Sequence, residues 1–253
     1  ISTGGVTITG TTGTTSSGHQ GISIGYADLD SGSATITMTS SRRVDFAAAN
    51  TIRSRFNLST STGVVRVSAN QNWGVSSTGT VARITAAEGI TISGQVSASG
   101  NVEFTSTTGS FTTTSALTTT GANGQILVTA DSVDLGAAVA TSSSNGVVTL
   151  APRTSNRPFD LGSETSNRVS LTSAEINRVS AGTLRIGALN GSNSGDILVT
   201  AAIAPTGVST LALRTTGIVE SSGSGSITEV NLAISAAYIN LQGNNSITGN
   251  LAL

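Results

Sequence analysis

Short strands of the form apolar–any–apolar recur roughly every twenty residues along this chain, each introduced by Gly, Asn or Ser or by a stretch rich in them. Val65-Arg66-Val67, Ala82-Arg83-Ile84, Val102-Glu103-Phe104, Ile126-Leu127-Val128, Val148-Thr149-Leu150 and Val169-Ser170-Leu171 make one series. Side chains alternate along a strand, so the flanking apolar residues of each triplet point one way and the middle residue the other. One triplet buries almost nothing alone. Stacked on its neighbours it forms a continuous apolar column, which is the logic of a solenoid. The pattern therefore predicts an all-β fold: a single right-handed parallel β-helix over 1–253, of about twelve coils of roughly 20 residues.

Composition agrees with order rather than disorder. Ser and Thr supply nearly a third of the residues and charged residues only 10%, a balance common in unfolded chains. Here, however, the 37% hydrophobic residues fall into period-two patterns. All 12 basic residues are Arg and the net charge is −1, which argues against nucleic-acid binding or attraction to anionic membranes. No run is long and apolar enough to span a bilayer, so membrane insertion is not expected. The chain has no Cys, which excludes a disulfide scaffold, a Cys-ligated zinc and thiol catalysis. Lack of Cys also suits a chain exported unfolded through a narrow pore.

Regularity changes along the chain. Residues 1–63 read as less regular coils, with Thr9 to Gly18 and Gly25 to Ser33 as loops leaving the helix. Residues 64–253 read as regular coils, with weaker strands such as Ile90-Thr91-Ile92, Phe111-Thr112-Thr113 and Val133-Asp134-Leu135 between the triplets. One segment breaks the pattern: residues 173–179 lack alternation, and Thr172 with Glu175 three positions later fits a capping box, predicting one helical turn. Arg66, Arg83 and Glu103 hold the middle position of three successive triplets and predict a short charged ladder on the outer surface. The strand around Val6 and the stretch from Val230 to Leu253 read like interior coils, with no sequence that would cap them. Uncapped coils predict head-to-tail self-association or further coils of a longer parent chain.

Residues 147–205 contain "VVTLAP", "FDLGSE", "SLTSAEINRVSAGTLRIG" and "GDILVTAAI". This segment resembles the repeat region of large bacterial exoproteins similar to filamentous haemagglutinin, secreted by the two-partner route, and related adhesins. The rest of the chain matches only in its Ser/Thr/Gly-rich, Cys-free style. The Asn-Pro-Asn motif that marks the secretion domain of such proteins does not occur, so the chain resembles the shaft rather than the secretion signal, or belongs to a different export route. The resemblance implies a secreted, cell-surface β-helical shaft acting in adhesion or biofilm, with host or matrix glycans as partners. It carries over no catalytic residue.

The candidate sites are sparse, and no catalytic, cofactor-binding or metal-binding residue is assigned. His19 is the only histidine; Gln20 interrupts the Gly-His-Gly element of β-helical polysaccharide hydrolases, so a loop role is expected. Gly21-Ile22-Ser23-Ile24-Gly25 has the letters of a nucleophile elbow, but no helix pattern follows Ser23, so a plain strand is expected. Asp28 and Asp30 have the first spacing of a calcium loop without its later ligands. Together with Asp45 they are the only carboxylate neighbourhood that an enzyme reading finds. Trp73 is expected to fill the core, while Tyr26 and Tyr238 stand apart. Thr-x-Thr at Thr35-Ile36-Thr37 raises an ice-binding reading, but the Thr pairs do not recur at one place in successive coils, so Ser/Thr hydroxyls stacked on solvent faces are expected instead. Asn57, Asn190 and Asn244 match glycosylation triplets that arise easily in so Ser/Thr-rich a chain. The function expected is structural: a shaft or filament subunit without turnover, the rivals being a polysaccharide-degrading enzyme and an ice-binding solenoid.

Overall fold

A computed structural model of the chain describes residues 6–10, 21–74, 79–189 and 194–253. Its strands pair in parallel and stack as a β-solenoid of about ten turns, close to the dozen expected from the repeat. Each turn contributes a strand to each of three walls. The first wall contains Ile36–Ser40, Phe56–Thr60, Thr80–Ala86, Asn101–Ser106, Gln125–Thr129 and Val147–Ala151. The second contains Val44–Phe46, Val64–Val67, Gly89–Ile92, Ser110–Thr113 and Val133–Leu135. The third contains Asn50–Ile52, Gln71–Trp73, Val96–Ala98, Leu117–Thr119 and Val139–Thr141.

Register fixes the core. On the first wall Met38, Leu58, Ile84, Phe104, Val128, Leu150, Ile186, Leu213 and Ile234 are direct partners, each with the next. All are buried. Ile84, Phe104, Val128 and Leu150 thus stack as their shared phase predicts. Val67 does not join them: it pairs with Phe46 and Ile92 on the second wall. Val169-Ser170-Leu171 also lies on the second-wall side, beside Phe159–Gly162. The triplet pattern is identical on every wall, so periodicity alone cannot say which wall a triplet occupies.

The early coils contain more strand than the sequence suggests. Ala27–Leu29, inside the stretch read as a loop from Gly25 to Ser33, pairs with Asn50–Ile52. Thr9 belongs to the strand Val6–Gly10, which pairs with Ile36–Ser40; most of the other loop lies outside the described residues. Packing here is aromatic. Trp73 meets Phe46, Phe56 and Phe104 with ring centroids 5.9, 5.1 and 6.4 Å away, and Phe104 meets Phe111 at 5.2 Å. Such tilted and edge contacts add to plain area burial. Four of the five Phe residues and the single Trp therefore sit in neighbouring coils.

Among the described residues the chain leaves strict sequential stacking once. After Val147–Ala151 it forms Phe159–Gly162, turns back, and lays Val169–Thr172 between that strand and Val133–Leu135. Phe159–Gly162 then pairs on its other edge with Ile197–Val199. The predicted helical turn follows at once, at Ser173–Ile176, with the Thr172–Glu175 capping box formed. The turn also repairs the ladder. Leu135 N donates to Glu175 Oε1 (3.0 Å), and Leu135 O accepts from Arg178 Nη1. Two side chains thus satisfy backbone groups that an adjacent strand would otherwise pair.

Candidate functional site

On a solenoid the outward columns are the functional surface, because inward positions are committed to the core. On the first wall one such column is Thr9, Thr39, Ser59, Thr85, Thr105 and Thr129, in register through successive coils. This is the stacking of hydroxyls on an outer face that the Ser/Thr-rich strands predict, although the loops between coils vary in length and space the equivalent positions unequally in sequence. The neighbouring column reads Thr7, Thr37, Asn57, Arg83, Glu103 and Leu127. Among the described residues of the first wall, a two-column Thr-x-Thr face exists only where Thr7 and Thr9 lie beside Thr37 and Thr39.

The predicted charged ladder is reduced to one pair. Arg83 Nε and Nη2 donate to Glu103 Oε2 (2.6 Å) and Oε1 (3.1 Å). These bonds from Arg83 hold the Glu103 carboxyl below its usual range, helped by a bond from Thr80 and opposed by partial burial. Arg66 is not part of the ladder. It projects from the second wall, where its register partners are Asp45 and Thr91.

The sequence-nominated residues scatter. His19 and Asn190 lie outside the described residues. Ser23 is the exposed middle residue of the strand Ile22–Ile24, so the elbow letters mark a flat strand. Asp28 accepts both Arg53 Nε and Nη2 at 2.8 Å, and those bonds keep its carboxyl below the usual range. Asp30 Oδ1 accepts from the backbone of Gly32 and the hydroxyl of Ser54. Asp45, on another wall, pairs with Arg43 and accepts from Ser68. The three carboxylates are therefore engaged separately. Trp73 is 1% exposed, in the core as expected, while Tyr26 and Tyr238 stand 90% and 60% exposed in coils far apart. Asn57 and Asn244 are exposed.

A carboxylate cluster that spacing did not reveal surrounds the out-of-order strand. Asp160 is buried on the outer side of Phe159–Gly162, beneath the returning segment 163–168. Its oxygens accept from the hydroxyls of Ser163, Thr165 and Thr200. Glu175 is buried as well, with Oε2 accepting from Thr172 N (2.9 Å) and Thr172 Oγ1 (2.8 Å). Glu164 lies close to Glu175. Desolvation first, and then the charges of Glu175, Asp134 and Asp160, push its carboxyl above the usual range. The partners of Asp160 and Glu175 are structural: they fasten the returning segment and the helical turn. These residues come together only because Phe159–Gly162 and Val169–Thr172 stack out of chain order, a topology that leaves no signal in residue spacing.

Exposed apolar groups collect at one end. Tyr238, Leu251 and Leu253 are 60%, 55% and 76% exposed, and Ile239, Leu241 and Ile247 are only partly buried. Ile234, Ile239 and Leu253 help line an open groove of about 410 Å³ there. No helix among the described residues is long and apolar enough to cross a membrane. No family model, no curated protein and no solved structure matches this chain.

Proposed function

We propose that this chain is a secreted structural element, a rigid shaft or filament subunit of a bacterial surface adhesin that acts by reach and attachment, without turnover. The observation that carries this reading is the unbroken inward column from Met38 to Ile234, beside which a column of hydroxyl side chains runs on the outer face from Thr39 to Thr129. Such a rod has a continuous ladder along its axis, and repeated weak polar contacts along it sum to firm attachment. The resemblance of residues 147–205 to filamentous-haemagglutinin-like exoproteins is in keeping with this reading. The apolar end formed by Ile239, Leu251 and Leu253 fits a further coil, supplied by a longer chain or by a second copy stacked head to tail.

The enzyme reading has one observation in its favour, the Glu164–Glu175 carboxyl pair. Against it, Glu175 and Asp160 each accept three hydrogen bonds that fasten the fold. One experiment separates the two. The purified chain is imaged by negative stain, sized by light scattering across concentrations, and incubated with a polysaccharide panel. Rods that lengthen with concentration, shortened by Ile239→Pro, support the shaft. Release of reducing ends or unsaturated sugars, lost in Glu164→Gln, overturns it.

A further inference from the structure

At the corner between the first and second walls, Arg42 and Arg43 precede the strand Val44–Phe46. One coil on, Thr62 and Gly63 occupy the same corner, and Glu88 follows in the coil after that. Arg66 projects from Val64–Val67 beside them. These residues line an open pocket of about 460 Å³. Three of the 12 Arg of a chain with net charge −1 therefore meet at one place.

The pocket is held in shape by its own backbone. Thr62 Oγ1 donates to Ser41 O, and Glu88 N donates to Gly63 O at 3.1 Å. Gly63 has φ +86, and a Cβ there would stand 3.0 Å from Arg43 N, so glycine is what lets the two corners close up. Arg43 is oriented by Asp45, whose Oδ2 lies 3.2 Å from Nη2 and whose Oδ1 accepts from Ser68 Oγ at 2.9 Å. Arg43 Nε is nonetheless buried without a partner. Arg42 and Arg66 form no ion pair among the described residues.

The donor set defines a ligand class. Guanidinium forks match a planar carboxylate. No aromatic residue lines the pocket, so nothing there stacks on a nucleobase, and Val64 is the only large apolar liner. Glu88 would repel a compact multivalent anion but accepts from hydroxyls. Thr62 Oγ1, its proton committed to Ser41, accepts from hydroxyls as well. A group that brings one carboxylate together with several hydroxyls satisfies all of these. We infer that this corner binds a sugar acid, a uronate unit of an acidic polysaccharide, through Arg42, Arg43 and Arg66, with Glu88 taking its hydroxyls. The inference concerns binding alone and stands whether or not the rod is an adhesin.

The test is calorimetric titration of the whole chain at low ionic strength with a galacturonate trisaccharide, the neutral galactose trisaccharide and sodium sulfate. The galacturonate trisaccharide should bind at least about tenfold more tightly than the neutral one, and Arg42→Ala/Arg66→Ala should remove that preference. Both Arg are exposed, so unchanged Trp73 fluorescence will show that the double variant is folded. Glu88→Gln should weaken the galacturonate trisaccharide and tighten sulfate. Equal binding of the two trisaccharides, no binding of either, or wild-type affinity in the double variant overturns the inference. So does sulfate binding as tightly as the galacturonate trisaccharide with no effect of Glu88→Gln, which would mark a general anion hole.

Discussion

Truncating Phe104 to Ala tests the register of the whole solenoid. Phe104 is 1% exposed and stands between Ile84 and Val128 in the first-wall column. Its ring also meets Trp73 at 6.4 Å and Phe111 at 5.2 Å. Removing a buried Phe costs about 3–5 kcal/mol, through lost transfer energy and the cavity left behind. Two aromatic contacts of about 0.5–1.5 kcal/mol each place this site near the top of that range. Collapse of the cavity is resisted on both sides, because the neighbouring strands are fixed by parallel ladders. The assay is urea unfolding followed by the fluorescence of the single Trp, whose ring meets the one that is removed. Thr105→Ala, one residue along and outward, is the control and should shift stability by no more than about 0.5 kcal/mol. A slip of one residue would exchange the two faces of the strand and therefore the two results. If Phe104→Ala falls within the control's range, or Thr105→Ala costs as much as Phe104→Ala, the register is wrong.

Three further outcomes follow from single groups. Glu229 is buried, with Oε2 unpartnered, and desolvation raises its pKa, so ionisation as pH climbs through the carboxylate range and above penalises the fold; Glu229→Gln should raise the thermal midpoint at pH 7, with the gain fading toward pH 4. Glu103 has a depressed pKa, so its contribution is present at neutral pH and lost as pH falls through that lowered value. Arg83→Gln should cost no more than about 1 kcal/mol at pH 7, less in high salt, and nothing in strong acid, by melts across pH and salt. Thr172→Ala breaks the capping box and should cost about 1 kcal/mol in urea unfolding, with the Glu175 bond to Leu135 exposed to local opening by hydrogen exchange.

The parallel solenoid and the inward phase of each triplet were legible in the sequence, because a period of two records which side chains face the core. The helical turn was legible too, since Thr172 and Glu175 carry their own local hydrogen-bond chemistry. Wall assignment was not. Val65-Arg66-Val67 and Ala82-Arg83-Ile84 have the same pattern, and only the backbone path between them puts one on the second wall and the other on the first. For the same reason Arg66 meets Arg42 and Arg43 at a corner rather than Glu103 in a ladder. The cluster around Asp160 and Glu175 depended on a strand that stacks out of chain order. Local alternation is written residue by residue, whereas the lengths and paths of the turns decide which outward side chains become neighbours. That decision exists only once the coils are stacked.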